Sequence, residues 1–258
     1  MDDILMVRNL SAGYGGRDVI QNISFSLAPG EVCALIGANG SGKTTLLRAV
    51  CGLLPARGEC ALCGKPVPRD VRERAAAISY LAQQSTVHLD VTALDVVLMG
   101  DYPALPWLRT PGEKQVEQAR EALRAVGAAA YADQSFPSLS CGQRQQVLWA
   151  RTLLRPTPLL VLDEPDSALD LQNRQMLFDL LVREVHGQNR AALLCSHDVN
   201  LSLRFADRLL FLREGRAAAD VRLPQSTPDE LERAFTLLYG PVELLPRRDG
   251  GWMVSGVL

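Results

Sequence analysis

Residues 37–44 read Gly-Ala-Asn-Gly-Ser-Gly-Lys-Thr, in which three glycines lead into a lysine and a hydroxyl side chain. That spacing suits a loop closed around phosphate groups. Glycine lets the backbone turn successive N–H groups inward, so Gly37, Asn39, Gly40, Ser41 and Gly42 would present donors rather than bulk. Lys43 can reach the β- and γ-phosphates of a nucleoside triphosphate, and the Thr44 hydroxyl can ligate Mg²⁺, with Thr45 the next donor along. A helix starting at this point adds the positive end of its dipole. The competing reading is a glycine-rich turn that matches by chance; an apolar strand before the loop and helical residues after it decide against that.

A second group of chemistry-bearing residues lies further on. The apolar run Leu159–Leu162 delivers Asp163 and Glu164 at its end. Strand C-termini are where ligands bind in open α/β sheets. Asp163 is expected to hold Mg²⁺, directly or through water, and Glu164 to orient or deprotonate an attacking water. An Asp-Glu pair alone would read as surface charge, but a buried strand and a phosphate loop in the same chain reverse that reading.

These groups need a framework. Val32–Ile36 is a continuous apolar run, as in a strand covered on both faces of a parallel sheet, and helical residues Thr45–Cys51 follow the loop. Ile4–Val7 and Ile20–Leu27 read as short strands, Gly58–Leu62 with Pro66–Val67 as a hairpin, and Ile78–Ala82 as another strand. From Thr92 the pattern turns helical, with Leu94, Val97 and Leu98 on one face. Pro103 and Pro106 break it. Thr110-Pro111-Gly112-Glu113 reads as a capping box opening a helix whose inner face is Val116, Ala119, Leu123 and Val126. Helices are expected at Gly142–Leu154 and Leu171–Val185, and a strand at Ala191–Cys195. The βα alternation is thus interrupted by a helical insert over about residues 88–155. Residues 1–220 are expected to form the main domain. Residues 221–258 read as a C-terminal appendage: a short helix at Asp229–Leu238, then a hairpin of Val242–Leu245 and Trp252–Val254 turning at Asp249-Gly250.

Composition narrows the classes of function. The 258 residues carry 27 Lys and Arg against 29 Asp and Glu, a net charge of −2, with 47% apolar residues. This is an ordinary globular composition, and it lacks the basic excess of a dedicated nucleic-acid binder. No stretch approaches the roughly 20 apolar residues of a transmembrane helix. The acidic start, Met1-Asp2-Asp3-Ile4, does not read as a signal peptide, so a cytosolic location is expected. Of six cysteines, Cys60 and Cys63 form one C-x-x-C with no second pair or histidines nearby, which favours packing over a zinc site.

Leu139-Ser140-Cys141-Gly142-Gln143 precedes Asp163-Glu164 by one helix and a loop. This resembles the LSGGQ signature of ABC-type ATPases. Tyr14 resembles the family's aromatic A-loop that stacks on adenine. Gln83 matches the Q-loop, with Gln84 adjacent, Ser167-Ala168-Leu169-Asp170 the D-loop, and His197 the H-loop. The resemblance runs through the chain to about Gly215. It implies a P-loop NTPase (RecA-like) α/β core with an N-terminal antiparallel β-subdomain and an inserted helical subdomain. It also implies two ATP molecules with Mg²⁺, sandwiched between two head-to-tail copies. In that arrangement Ser140, Gly142 and Gln143 of one copy face the γ-phosphate held by the other, beside Asp170. His197 would contact the γ-phosphate and fix the water, and Gln83 would sense Mg²⁺ and the water. The chain departs from the pattern at Cys141, where the family usually has Gly, which puts a thiol at a helix N-terminus where its pKa tends to fall. It departs again at Asp166, where Thr or Asn is common; that carboxylate is expected on the solvent side of the site.

The segment Val91–Gly100 followed by Tyr102-Pro103, and the tail Thr227–Leu231 with Tyr239–Val242, resemble the ATPases of iron-siderophore, haem and cobalamin importers. Asp101 stands where that subfamily usually has Arg. The resemblance implies polytopic permease subunits, docked at the helical insert, and indirectly a periplasmic or lipid-anchored substrate-binding protein. It implies a peripheral place on the cytoplasmic face of the cell membrane. The alternative is a soluble ABC ATPase in a non-transport complex, such as iron–sulfur cluster assembly.

Overall fold

The computed structural model of the chain describes residues 3–83, 90–104, 110–248 and 250–256. In chain order, β1 (Leu5–Tyr14) and β2 (Arg17–Leu27) form an antiparallel hairpin across Gly15-Gly16, and β3 (Glu31–Ile36) runs into α1 (Lys43–Val50). Then come β4 (Ala56–Leu62), β5 (Lys65–Pro66), α2 (Val71–Ala77) and β6 (Ile78–Leu81). The insert holds α3 (Ala93–Leu98), α4 (Glu113–Ala125) and α5 (Cys141–Leu153). The core resumes with β7 (Leu159–Asp163), α6 (Leu171–Gln188), β8 (Ala191–Cys195), α7 (Val199–Phe205), β9 (Arg208–Arg213) and β10 (Arg216–Arg222). Last are α8 (Pro228–Tyr239), β11 (Glu243–Pro246) and β12 (Trp252–Ser255).

Two larger sheets result. One is antiparallel, in the order β2-β1-β4-β5. The other has the order β10-β9-β3-β8-β7-β6, parallel except for the β9/β10 edge. Every residue of β3, β7 and β8 is buried, as strands covered on both faces must be. Alternation along β3 sends Val32, Ala34 and Ile36 into one apolar cluster with the insert helices, α6 and α8. Cys33 and Leu35 face the opposite cluster, with α1 and the antiparallel sheet. The central sheet therefore joins two cores, and the ends of its middle strands open toward one edge, where the phosphate loop sits.

The structure corrects several local readings. The N-cap of α4 is Gly112, not Thr110: the helix starts two residues later than the Thr-Pro pattern suggests, and the Gly112 N–H donates to Gln115 Oε1 at 3.1 Å, so the glutamine three residues on closes the cap that Glu113 was expected to close. β1 extends far beyond Val7, crossing register shifts near Asn9 (φ 49°) that break its alternation. Helices α2 and α7 and strands β9 and β10 go beyond the sequence reading. Gln84, Pro106 and Asp249 lie outside the described residues.

Candidate active site

The loop after β3 needs glycine for steric reasons. A Cβ on Gly37 would sit 2.5 Å from Leu212 O, and Gly42 holds φ 104° with Ile20 Cγ2 2.6 Å from a would-be Cβ. Lys43, buried, donates from Nζ to Gly37 O at 2.6 Å and Ala38 O at 3.2 Å, so its ammonium is folded back into the loop. Burial lowers its pKa, and the nearby Glu164 and Asp163 carboxylates oppose that. Ser41 Oγ is buried with no partner, a hydroxyl that a phosphate oxygen would satisfy. Gly40 faces open space, and Asn39 is exposed on the rim. Thr45 is buried in the first turn of α1.

Thr44 Oγ1 donates to Asp163 Oδ1 at 3.1 Å. Asp163 is fully buried at the end of β7, and Tyr80 OH (3.4 Å to Oδ2) and Cys195 Sγ (2.9 Å to Oδ1) also donate to it. A hydroxyl and a carboxylate side by side form an all-oxygen donor set that fits Mg²⁺, which binds through one or two carboxylates plus phosphate oxygens. Tyr80 and Cys195 were not among the residues singled out from the sequence. Their only signal is that each occupies a strand next to or ending beside Asp163, which a linear reading cannot pair without the sheet order.

Glu164 takes φ 52°, an unusual conformation for a carboxylate residue, and its N–H donates to Cys195 O at 3.0 Å. The strand end is thereby turned so that Glu164 Oε1 lies 2.7 Å from His197 Nε2. Both residues line a cleft of about 510 Å³ with Asp166, Ser167, Arg174 and Asn200. Asp166 corrects the sequence reading: it is 6% exposed rather than on the solvent side, because Ser196 Oγ donates to its Oδ2 at 2.9 Å and draws it inward. Burial raises its pKa.

The structure brings Lys43, Thr44, Asp163, Glu164 and His197 together at the ends of three adjacent strands, β3, β8 and β7. It leaves the signature apart. Ser140 caps α5, accepting from Gln143 N at 3.3 Å while Gln143 Oε1 accepts from Ser140 N at 2.9 Å. Gly142 packs under the Ala168 carbonyl, 2.9 Å from a would-be Cβ, so the turn carrying Ser167 and Ala168 leaves no room for a side chain. Asp170 caps α6 through Asn173 N at 2.8 Å. Among the described residues no hydrogen bond joins Ser140, Gly142, Gln143 or Asp170 to the phosphate loop. Gln83 is exposed just past β6, without a hydrogen bond to Thr44 or Asp163. Tyr14 is 48% exposed, its ring free on the surface and its OH accepting from Arg48 Nη1 at 3.3 Å.

A buried lysine and loop amides hold polyphosphate, an oxygen pair holds a cation, and a carboxylate paired with imidazole can take a proton from water. That is the equipment of a nucleoside triphosphate hydrolase. Known proteins carry the same plan. The family model for ABC transporter matches residues 20–167. The ferric enterobactin transport ATP-binding protein FepC of Escherichia coli (strain K12) is 36% identical over 237 residues, 90% of this chain and 85% of the relative. The zinc transport system ATP-binding protein TroB of Treponema pallidum (strain Nichols) is 34% identical over 234 residues, 90% of this chain and 86% of the relative. Among solved structures, a metal-chelate-type ABC transporter in an inward-facing conformation aligns with TM-score 0.80 and 27% identity, over 99% of this chain and 97% of that one. The ATP-binding cassette MJ0796, a dimer bound to ADP and Pi, aligns with TM-score 0.77 and 25% identity, over 85% of this chain and 98% of that one.

Proposed function

Because the chain belongs to the ABC transporter family as an ATP-binding subunit, coupling ATP hydrolysis to transport, we propose that it drives uptake of a metal chelate, an iron-siderophore, haem or cobalamin-type complex. The observation that carries the catalytic part is the Glu164–His197 pair, set beside Thr44 and Asp163. Lys43 and the amides of residues 37–45 bind the β- and γ-phosphates, and Tyr14 stacks on the adenine. Thr44 and Asp163, with Gln83, would hold Mg²⁺, which would supply charge neutralisation at the phosphate oxygens. Glu164 accepts the proton of the attacking water at its carboxylate, and His197 holds both that carboxylate and the γ-phosphate.

Ser140, Gly142 and Gln143 act on the nucleotide of a second copy of this chain. Their exposed helix terminus, with no hydrogen bond to the chain's own phosphate loop among the described residues, supports that reading, as does the dimeric form of the relative bound to ADP and Pi. Residues 1–220 carry this chemistry, and residues 221–258 form an appendage on it. A cleft of about 270 Å³ between the core and the insert, lined by Leu53, Ile78, Met99 and Pro103, receives the polytopic membrane subunit on the cytoplasmic face. The chelate itself is bound by that subunit and its external binding protein. The relatives support the class, since one serves ferric enterobactin and another structure is of metal-chelate type; the zinc relative marks the nearest competing cargo.

The test is reconstitution. The chain is purified with the polytopic protein that accompanies it, placed in proteoliposomes, and supplied with ferric siderophore, haem, cobalamin or free zinc. ATP-dependent accumulation of one of the three chelates is expected. Accumulation of zinc alone would overturn the cargo assignment. Co-purification only with soluble proteins would overturn the transport reading.

A further inference from the structure

The turn that carries His197 is fastened on both sides of the imidazole. On one side Ser196 Oγ donates to Asp166 Oδ2 at 2.9 Å, and on the other the Asp198 N–H donates to the same Ser196 Oγ at 2.9 Å. Asp198 is held again by Arg174 Nη1, 3.3 Å from its Oδ2. Asp166 belongs to the segment that follows Glu164, and the Leu169 N–H donates to its carbonyl at 3.3 Å. One carboxylate therefore fixes the His197 turn relative to the Glu164 turn. Other described links also cross between them: Glu164 N to Cys195 O at 3.0 Å, Cys195 Sγ to Asp163 Oδ1 at 2.9 Å, the Arg174 guanidinium shared between Leu169 O and Asp198 Oδ2, and the Glu164–His197 contact itself.

The cost of this carboxylate argues that it has a task. Asp166 is 94% buried by its 6% exposure, and its Oδ1 has no hydrogen-bond partner. A buried polar atom without a partner is costly, and the neutral hydroxyl or amide common at this position in the family would avoid the charge. Asp166 lines the same cleft as Glu164 and His197, and among the described residues its carboxylate is hydrogen-bonded to Ser196 rather than to either of them.

We infer that Asp166 is a positioning residue for hydrolysis: through Ser196 it sets the distance and orientation of His197 against Glu164. This rests on the proposed roles of Glu164 and His197. A displacement of about 1 Å at a reacting group can lower turnover about a hundredfold, so loosening this turn acts on kcat rather than on nucleotide affinity.

The test is a double-mutant cycle on the whole chain, following phosphate release with enzyme in excess so that slow turnover stays readable. D166A is expected to lower the rate about tenfold to a hundredfold, with little change in ATP affinity in a parallel binding titration. D166N and D166T, which keep an acceptor for Ser196, are expected to restore most of it. S196A is expected to match D166A. In an H197A background, D166A is expected to add little, because it acts through the imidazole. An equal loss from D166A in both backgrounds, or no rescue by D166N and D166T, would overturn the inference. A parental rate for H197A would overturn the role of His197 and this inference with it. H197A slowed while D166A stays at the parental rate would overturn only the inference. Should D166A not fold, the S196A and D166T arms decide between the same outcomes.

Discussion

His197 Nε2 lies 2.7 Å from Glu164 Oε1, across the ends of the neighbouring strands β7 and β8. The contact orients the carboxylate without burying the imidazole, which stays half exposed toward the cleft. An oriented base is worth more than a free one because the water it deprotonates must be placed as well as activated. His197→Ala is expected to lower kcat about a hundredfold, with ATP still bound. Steady-state phosphate release alongside an ATP-binding titration checks this.

Lys43 makes the opposite prediction. Its Nζ, folded onto Gly37 O and Ala38 O, is the buried cation of the phosphate loop. Lys43→Ala is expected to abolish nucleotide binding, with turnover lost as a consequence. A fluorescent ATP analogue should show no saturable binding. Unchanged ATPase activity would remove the phosphate loop from the account.

Cys141 is exposed in the first turn of α5, with Arg144 Nη2 3.3 Å from its sulfur. Cys33, Cys51 and Cys195 are buried, and burial drives their thiols far up; that of Cys60 is pushed up to about 11. Cys63 is exposed in the turn between β4 and β5, not in the first turn of a helix. Cys141 is therefore expected to alkylate first, and MgATP to protect it while leaving Cys63 reactive, since the proposed dimer would set Cys141, not Cys63, against a second copy's nucleotide. Mass-spectrometric mapping with and without ATP reads this. Equal labelling of all six thiols would contradict it.

Gly142 tests the intrachain packing. Gly142→Ala would place a methyl 2.9 Å from the Ala168 carbonyl, displacing the turn before Asp170. A loss of about 1–3 kcal/mol in stability is expected, the cost of overpacking, read by denaturant unfolding.

The phosphate loop could be read directly because its chemistry is contiguous: one strand, eight residues, one helix. The same holds for Asp163 and Glu164. Apolar runs found β3, β7 and β8 because strands buried on both faces leave no alternation to misread. The reading weakened where tertiary contacts decide. β1 is hidden beyond Val7 by register shifts, and β9 by the absence of a nearby motif to draw notice, although Leu209–Leu212 is apolar throughout and Glu214-Gly215 supplies its turn. Asp166 was misplaced because a carboxylate in a turn reads as solvated, and nothing local announces that Ser196, 30 positions away, will take it inside. Tyr80 and Cys195 touch Asp163 only once β6, β7 and β8 are in register.

The most direct test of the whole account is Glu164→Gln, measured for phosphate release and for oligomeric state in MgATP. The account predicts turnover lower by about 10²–10⁴, ATP binding retained, and a nucleotide-dependent dimer that persists on a sizing column. Hydrolysis at the parental rate would contradict it, because no other described carboxylate lies against His197.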